Sequence, residues 1–138
     1  MDLLSGASFQ RLEGAIKAAS LRQQVLANNI ANDDTPNFKR SDVVFEELLA
    51  QAMGGGTPSG ALAGIRTDER HIPIGGSAGT VPSAQVVTEE STQINNNKNN
   101  VDIDKEMSLL AENQLSYNFY AQQINHDIKM MQIAIKGQ

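Results

Sequence analysis

The chain has 138 residues, a net charge of −5, 20% charged side chains and only 4% aromatics. That length allows one domain at most. The acidic balance, with no block of like charge, excludes nucleic acid as the main partner, because phosphate binding needs clustered Lys and Arg.

Cysteine and tryptophan are absent. No disulfide or thiolate metal site is available, and few large side chains exist to fill a core. Neighbouring molecules are therefore expected to bury part of the apolar surface. Met1 to Gln10 carries no Lys or Arg ahead of its apolar residues and no uninterrupted apolar core of signal-peptide length. No run is long enough to span a bilayer. If the protein leaves the cytosol, the expected route is one that does not read a Sec-type signal.

The first predicted element is a helix from about Ser5 to Asn32. Phe9, Leu12, Ile16, Ala19, Gln23, Leu26 and Ile30 alternate in steps of three and four, which is the heptad seam by which one helix packs along another. Only Gln23 puts a polar side chain in it. Asp33, Asp34, Thr35 and Pro36 follow, and Pro36 pushes Thr35 out of helical geometry, so the helix is expected to stop near Asn32.

A loop-rich middle region runs from 37 to 100. Val43, Phe45, Leu48 and Leu49 suit either a short helix or an extended arm. Gly54, Gly55 and Gly56 then break the chain. Short strands are expected between Ile65 and Ile74 and from Val86 to Ile94, where Val86, Val87 and Thr88 favour extended backbone. The asparagine tract Asn95 to Asn100 reads as a linker.

A long helix is predicted from about Val101 almost to the end. Ile103, Met107, Leu110, Gln114, Tyr117, Ala121, Ile124, Ile128, Met131 and Ile135 again alternate four and three. Asp102 suits the N-cap, and Asp104 and Glu106 place negative charge in the first turn, where the helix dipole favours it. The fold class is thus mainly α, with regions 1–36, 37–100 and 101–138: terminal helices pairing as an antiparallel coiled coil, and a small middle region with short β-strands. If Ile30 lies level with Met107, Gln23 lies level with Gln114. The two amides then either face each other in the seam or sit at its edge in water.

No catalytic set emerges. His71 and His126 stand apart in different regions, and no nucleophile elbow, phosphate loop or zinc-protease motif is present. No cofactor, metal or small-molecule substrate is expected. Asn95, Asn97, Asn99 and Glu106 fall on a calcium-loop spacing, but Asn100 replaces the required glycine and no helix precedes the loop. The polar helix faces are not rich in Lys and Arg, which favours protein partners over lipid.

The segment Ala27-Asn28-Asn29-Ile30-Ala31-Asn32 resembles the signature shared by the axial proteins of the bacterial flagellum. Its continuation, through Thr35 and Pro36 to Asn37-Phe38-Lys39, is similar to that of the basal-body rod proteins, of the short proximal type. Asn99 to Met107 resembles the start of the C-terminal helix of that type, and Asn113, Tyr117 and His71-Ile72 fall as they do there. Bottom-up, Asn28, Asn29 and Asn32 crowd a helix end whose last four carbonyls lack helical partners. Their amides can donate and accept at once, while Ala27 and Ala31 keep that turn slim.

The resemblance implies a structural, non-enzymatic subunit. It would be exported by the flagellar type III system without a cleaved signal peptide. It would then polymerise outside the cytoplasmic membrane into the rod that carries motor torque and encloses the export channel. Implied partners are its own copies, other rod proteins, the rod-base adaptor, the base-ring protein and the export gate. The alternatives are another proximal rod subunit or, in a different class, a cytosolic coiled-coil adaptor or chaperone.

Overall fold

A computed structural model describes residues 6–54, 81–93 and 97–137. In chain order they form α1 (Ala7–Ala31), β1 (Ser41–Val44), α2 (Glu46–Gly54), β2 (Gln85–Thr88) and α3 (Ile103–Lys136). The short extended stretch expected between Ile65 and Ile74 lies outside the described residues, as does His71. The extended stretch expected from Val86 to Ile94 is shorter, and its strand is confined to Gln85–Thr88.

α1 and α3 share the largest interface. Asn29 on α1 bonds Glu106 on α3, and the backbone of Ala19 accepts from Asn113, so the order of contacts reverses along the two helices and they run antiparallel. α3 has 34 residues against 25 in α1. At 1.5 Å per residue, α3 is about 51 Å long and extends well beyond what α1 can cover.

The helix ends follow from local chemistry. Asp102 caps α3, its carboxylate accepting from the backbone N–H groups of Asp104 and Lys105, and Gly137 closes it in a left-handed conformation. α1 stops at Ala31, with the N–H groups of Asn32 and Asp33 bonding back to the carbonyls of Asn29 and Ile30 respectively. Thr35 to Phe38 then forms a turn closed by the Phe38 N–H on the Thr35 carbonyl at 3.3 Å. Pro36 fixes φ at its second position. Asn37 takes φ of +60° at its third, a conformation that asparagine tolerates better than other L-residues except glycine.

β1 and β2 pair antiparallel, Ser41 opposite Thr88 and Val44 opposite Gln85. Val43 points inward beneath α1, and Phe45 follows it into the core. Gly14 of α1 makes room for that ring: a Cβ there would lie 3.2 Å from Phe45 Cζ and 2.8 Å from Val81 Cγ1. The remaining buried apolar residues are Ala18, Ala19, Leu26 and Val101. With so small an apolar core, the other buried positions are polar: Asn29, Arg40, Asn99, Asn100, Glu106 and Asn113.

The amide pairing considered for Gln23 and Gln114 does not form, and both side chains are exposed. The amide that α3 buries against α1 is the adjacent one, Asn113. Ile103, Met107 and Ile135, placed in the seam by their spacing, are 45%, 53% and 71% exposed. A seven-residue repeat drifts around a 3.6-residue helix by about 20° per heptad. At the start of α3 a strict seam therefore turns away from its partner, while Ile135 lies beyond the reach of α1.

Candidate assembly interface

The junction where α1, the strands and α3 meet is held by buried polar groups. Asn29 acts there as a short piece of strand. Its Oδ1 accepts from Ser41 N–H at 3.1 Å, and its Nδ2 donates to the Ser41 carbonyl at 2.8 Å and to Glu106 Oε2 at 2.9 Å. Glu106, with no exposed surface, also accepts from Arg40 Nε at 3.0 Å. Both of its oxygens are thus bonded, which a buried carboxylate requires. The Arg40 guanidinium continues outward to Asp42 at 3.2 Å and Glu89 at 3.5 Å. Burial alone would lower the Arg40 pKa, but the Glu106 hydrogen bond and the charges of Glu106 and Asp42 outweigh it and raise it.

Two residues expected to lie in a linker are in fact central to this junction. Asn99 and Asn100 are completely buried. The Asn99 amide lies within 2.6 to 3.0 Å of the carbonyls of Asn32, Asp33 and Thr35, sharing its two hydrogens among the carbonyls that follow the end of α1. Its Oδ1 accepts from Val101 N–H at 2.7 Å. Asn100 accepts from Arg40 N–H at 2.6 Å and donates to the Glu89 carbonyl at 2.8 Å. A polar tract is a loose linker only if its amides face water, and these bond backbone groups in the interior. With Asn99 and Glu106 so engaged, these two positions of the calcium-loop spacing are turned toward the protein itself.

The signature residues divide into two sets. Asn29 is buried and Ile30 half-buried, whereas Ala27, Asn28, Ala31, Thr35 and Pro36 are exposed. Asn32 is half-buried, its Nδ2 bonded to the Asn28 carbonyl and its Oδ1 accepting from the Thr35 hydroxyl. Along the seam of α1, Ala19 and Leu26 are buried while Phe9, Leu12 and Ile16 are half-buried. On α3, Leu110, Tyr117, Ala121, Ile124, Ile128 and Met131 are half-buried. His126 is exposed.

α3 also has a second apolar side. Ile103, Met107, Leu115 and Phe119 recur in multiples of four, and Met130 and Ile133 carry the same side toward the C-terminus. All are 45% exposed or more, with Leu115 at 72% and Phe119 at 62%. Leu115, Phe119, Met130 and Ile133 lie roughly opposite Glu106 and Asn113, which face α1, whereas Ile103 and Met107 lie at the edge between the two sides. A helix apolar on opposite sides is one that is covered on both. The outward side of α1, by contrast, consists of Glu13, Lys17, Ser20, Gln24, Ala27, Asn28 and Ala31 and holds no large apolar residue. None of the described helices is long and apolar enough to cross a membrane.

The Arg22–Glu46 pair fastens α2 to α1, with NH2 of Arg22 2.6 Å from Glu46 Oε2 and 3.2 Å from the Val43 carbonyl. The Glu46 hydrogen bond raises Arg22 against the opposing effect of burial. At Glu46, burial pushes the carboxyl up, but the Arg22 hydrogen bond and the residue's own backbone N–H hold it below the usual carboxylate range.

A family model described as flagella basal body rod protein matches residues 9–39, the stretch from the first seam residue of α1 through the Pro36 turn. A flagellar basal body rod protein FlgB of Bacillus subtilis (strain 168) is 38% identical over 137 residues, covering 99% of this chain and 98% of its own. The chain belongs to the FlgB family of flagellar basal body rod proteins. The FlgB of Escherichia coli (strain K12) is 32% identical over 133 residues and 95% of each chain. That of Borrelia hermsii is 40% identical over 120 residues, 85% of this chain and 87% of its own. As a FlgB-type protein it is a structural subunit of the proximal rod and not an enzyme. Its place is the flagellar basal body, in assembly with other rod components.

Proposed function

We propose that this rod subunit is exported through the flagellar type III apparatus without cleavage and polymerises through α1 and α3, paired as an antiparallel coiled coil. The product is the hollow shaft that transmits torque and encloses the export channel, outside the cytoplasmic membrane and in the periplasmic space where one exists. Its partners are further copies of itself, neighbouring rod proteins, the adaptor at the rod base, the base-ring protein and the export gate. The exposed part of the signature, Ala27, Asn28, Ala31, Thr35 and Pro36, serves contacts between subunits, and Asn29 and Asn32 serve the fold that presents them.

The observation that carries this reading is the second apolar side of α3. Burying Leu115 and Phe119 is worth roughly 1.5–3 kcal/mol each, and nothing among the described residues covers them. Neighbours in a polymer would. The test is a Leu115→Asp, Phe119→Asp double variant. The purified monomer is expected to keep its circular dichroism and melting temperature, while the subunit is exported but missing from isolated basal bodies and the cells do not swim. Normal basal bodies and swimming would refute burial of this side in the rod.

A further inference from the structure

A cleft of about 400 Å³ opens between α1, the start of α2 and α3, lined among others by Arg22, Asp42, Glu46, Glu112, Asn113 and Tyr120. Arg22 is taken up by Glu46, and Asp42 is shared with Arg40. Glu112 is exposed and forms no ion pair with any described residue, so the cleft keeps uncompensated negative charge. A second observation is independent of that charge. Asn113 is only 3% exposed, its Nδ2 is committed to the Ala19 carbonyl at 2.9 Å, and its Oδ1 is buried with no hydrogen-bond partner. A buried acceptor left unpaired is costly and rare in folded proteins. That acceptor is enclosed, so what the mouth of the cleft offers an incoming group is the free carboxylate of Glu112, which fits a cation. A lysine ammonium brings three N–H groups and no acceptor.

The same chain carries a surface that fits. On the C-terminal part of α3, Lys129 and Lys136 stand one turn on either side of Ile133, with Met130 beside them, and all four are exposed. Glu112 stands one and two turns before Leu115 and Phe119, so the mouth of the cleft adjoins the outward apolar side of α3. One surface is apolar and acidic, the other apolar and basic.

We infer that the lysine-flanked end of α3 in one copy docks on the Glu112–Leu115–Phe119 side of α3 in the next. Lys129 then pairs with Glu112 at the mouth of the cleft. The two surfaces are different patches of one molecule, so the contact is head-to-tail. Such a contact extends along an assembly instead of closing as a symmetric dimer. Its apolar part supplies contact area, and its charges select register. This rests on the rod-subunit reading above and names the copy-to-copy contact within it.

The chain's lack of cysteine makes the test direct. A chain bearing both Glu112→Cys and Lys129→Cys is produced in place of the natural one, and isolated basal bodies are treated with a short bismaleimide that spans the length of the Lys–Glu pair it replaces. The two positions lie about 25 Å apart on one helix, beyond the reach of that linker, so any cross-link joins two copies. The expected result is a ladder of linked subunits, absent when either cysteine is present alone. Basal bodies that contain the variant but give no ladder overturn this contact and leave the rod reading standing. An unaltered chain that does not co-purify with basal bodies overturns the rod reading itself. Charge reversal is the second arm. Glu112→Lys and Lys129→Glu should each lose incorporation while the monomer's circular dichroism is unchanged, and the two together should restore it. Failure of the folded double variant to recover overturns the pairing.

Discussion

Arg40 Nε lies 3.0 Å from Glu106 Oε1, and this one pair joins the first strand to the first turn of the C-terminal helix across 66 residues of chain. Its second carboxylate oxygen is held by Asn29, so three separate parts of the sequence meet on one side chain. A buried ion pair adds little net stability, because desolvation offsets attraction, but it is costly to break from one side. It therefore selects which segments meet more than it strengthens their meeting.

Glu106→Gln should destabilise the monomer by about 3 kcal/mol, the low end for a broken buried pair, since Asp42 and Glu89 still face the guanidinium. Replacing both partners, Arg40→Leu with Glu106→Leu, should recover part of the loss. Urea unfolding of the two singles and the double measures the coupling. Additive losses would show that the pair is not energetically linked.

The Asn99 amide serves three carbonyls at the end of α1. Asn99→Ala takes the amide donor from the Asp33 carbonyl and leaves the Asn32 and Thr35 carbonyls with only their turn N–H groups, at about 1–3 kcal/mol. Fraying should appear locally, as faster hydrogen exchange from Asn28 to Asn32, with the middle of α1 unchanged. Uniform acceleration along α1 would mean that Asn99 supports the whole fold instead of the helix end.

The helices, their antiparallel course, the Pro36 turn and the Asp102 cap were legible because each depends on neighbours in sequence: spacing, a fixed φ, a carboxylate ahead of free N–H groups. The junction was not. Glu106 satisfies the helix-dipole rule as well as any exposed acid, and nothing local distinguishes it from Asp104, which is exposed. Asn99 and Asn100 look like linker residues until Arg40 and the end of α1 are placed beside them. The outward apolar side of α3 was partly visible in Leu115 and Phe119, which fall off the inner seam. Idealised heptads put Ile103 and Met107 in the seam, and both are exposed in the single chain, because the drift of a real helix accumulates along its length.

The Arg22–Glu46 pair gives a pH dependence with a definite sign. Glu46 has a folded-state pKa below its usual value, so its contribution is present above its unfolded pKa and is lost as pH falls through the lower folded one. Its side chain is 57% exposed, and solvent screening limits the effect to about 1 kcal/mol or less. Glu46→Gln should thus lower the melting temperature at neutral pH, with the difference shrinking toward zero in acid and in high salt. A difference that persisted at low pH would point to packing instead of charge.

The asparagines of the signature should separate by experiment into fold and assembly. Asn29 occupies both backbone hydrogen-bonding groups of Ser41 and one oxygen of Glu106, so Asn29→Ala strands one buried and two half-buried groups and should strongly destabilise the monomer. Asn28, one position earlier, is exposed and only its backbone carbonyl is used, by Asn32. Asn28→Ala should therefore leave the monomer's unfolding midpoint within about 0.5 kcal/mol of the natural chain. In a packed shaft the same side chain would lose partners on a neighbouring subunit, and the loss recurs at every copy. The comparison is between urea midpoint and yield of intact rods, measured for both variants. Full rod yield with Asn28→Ala would confine the role of that residue to the surface of a single subunit, and Asn29 alone would then explain why asparagine stands in this turn.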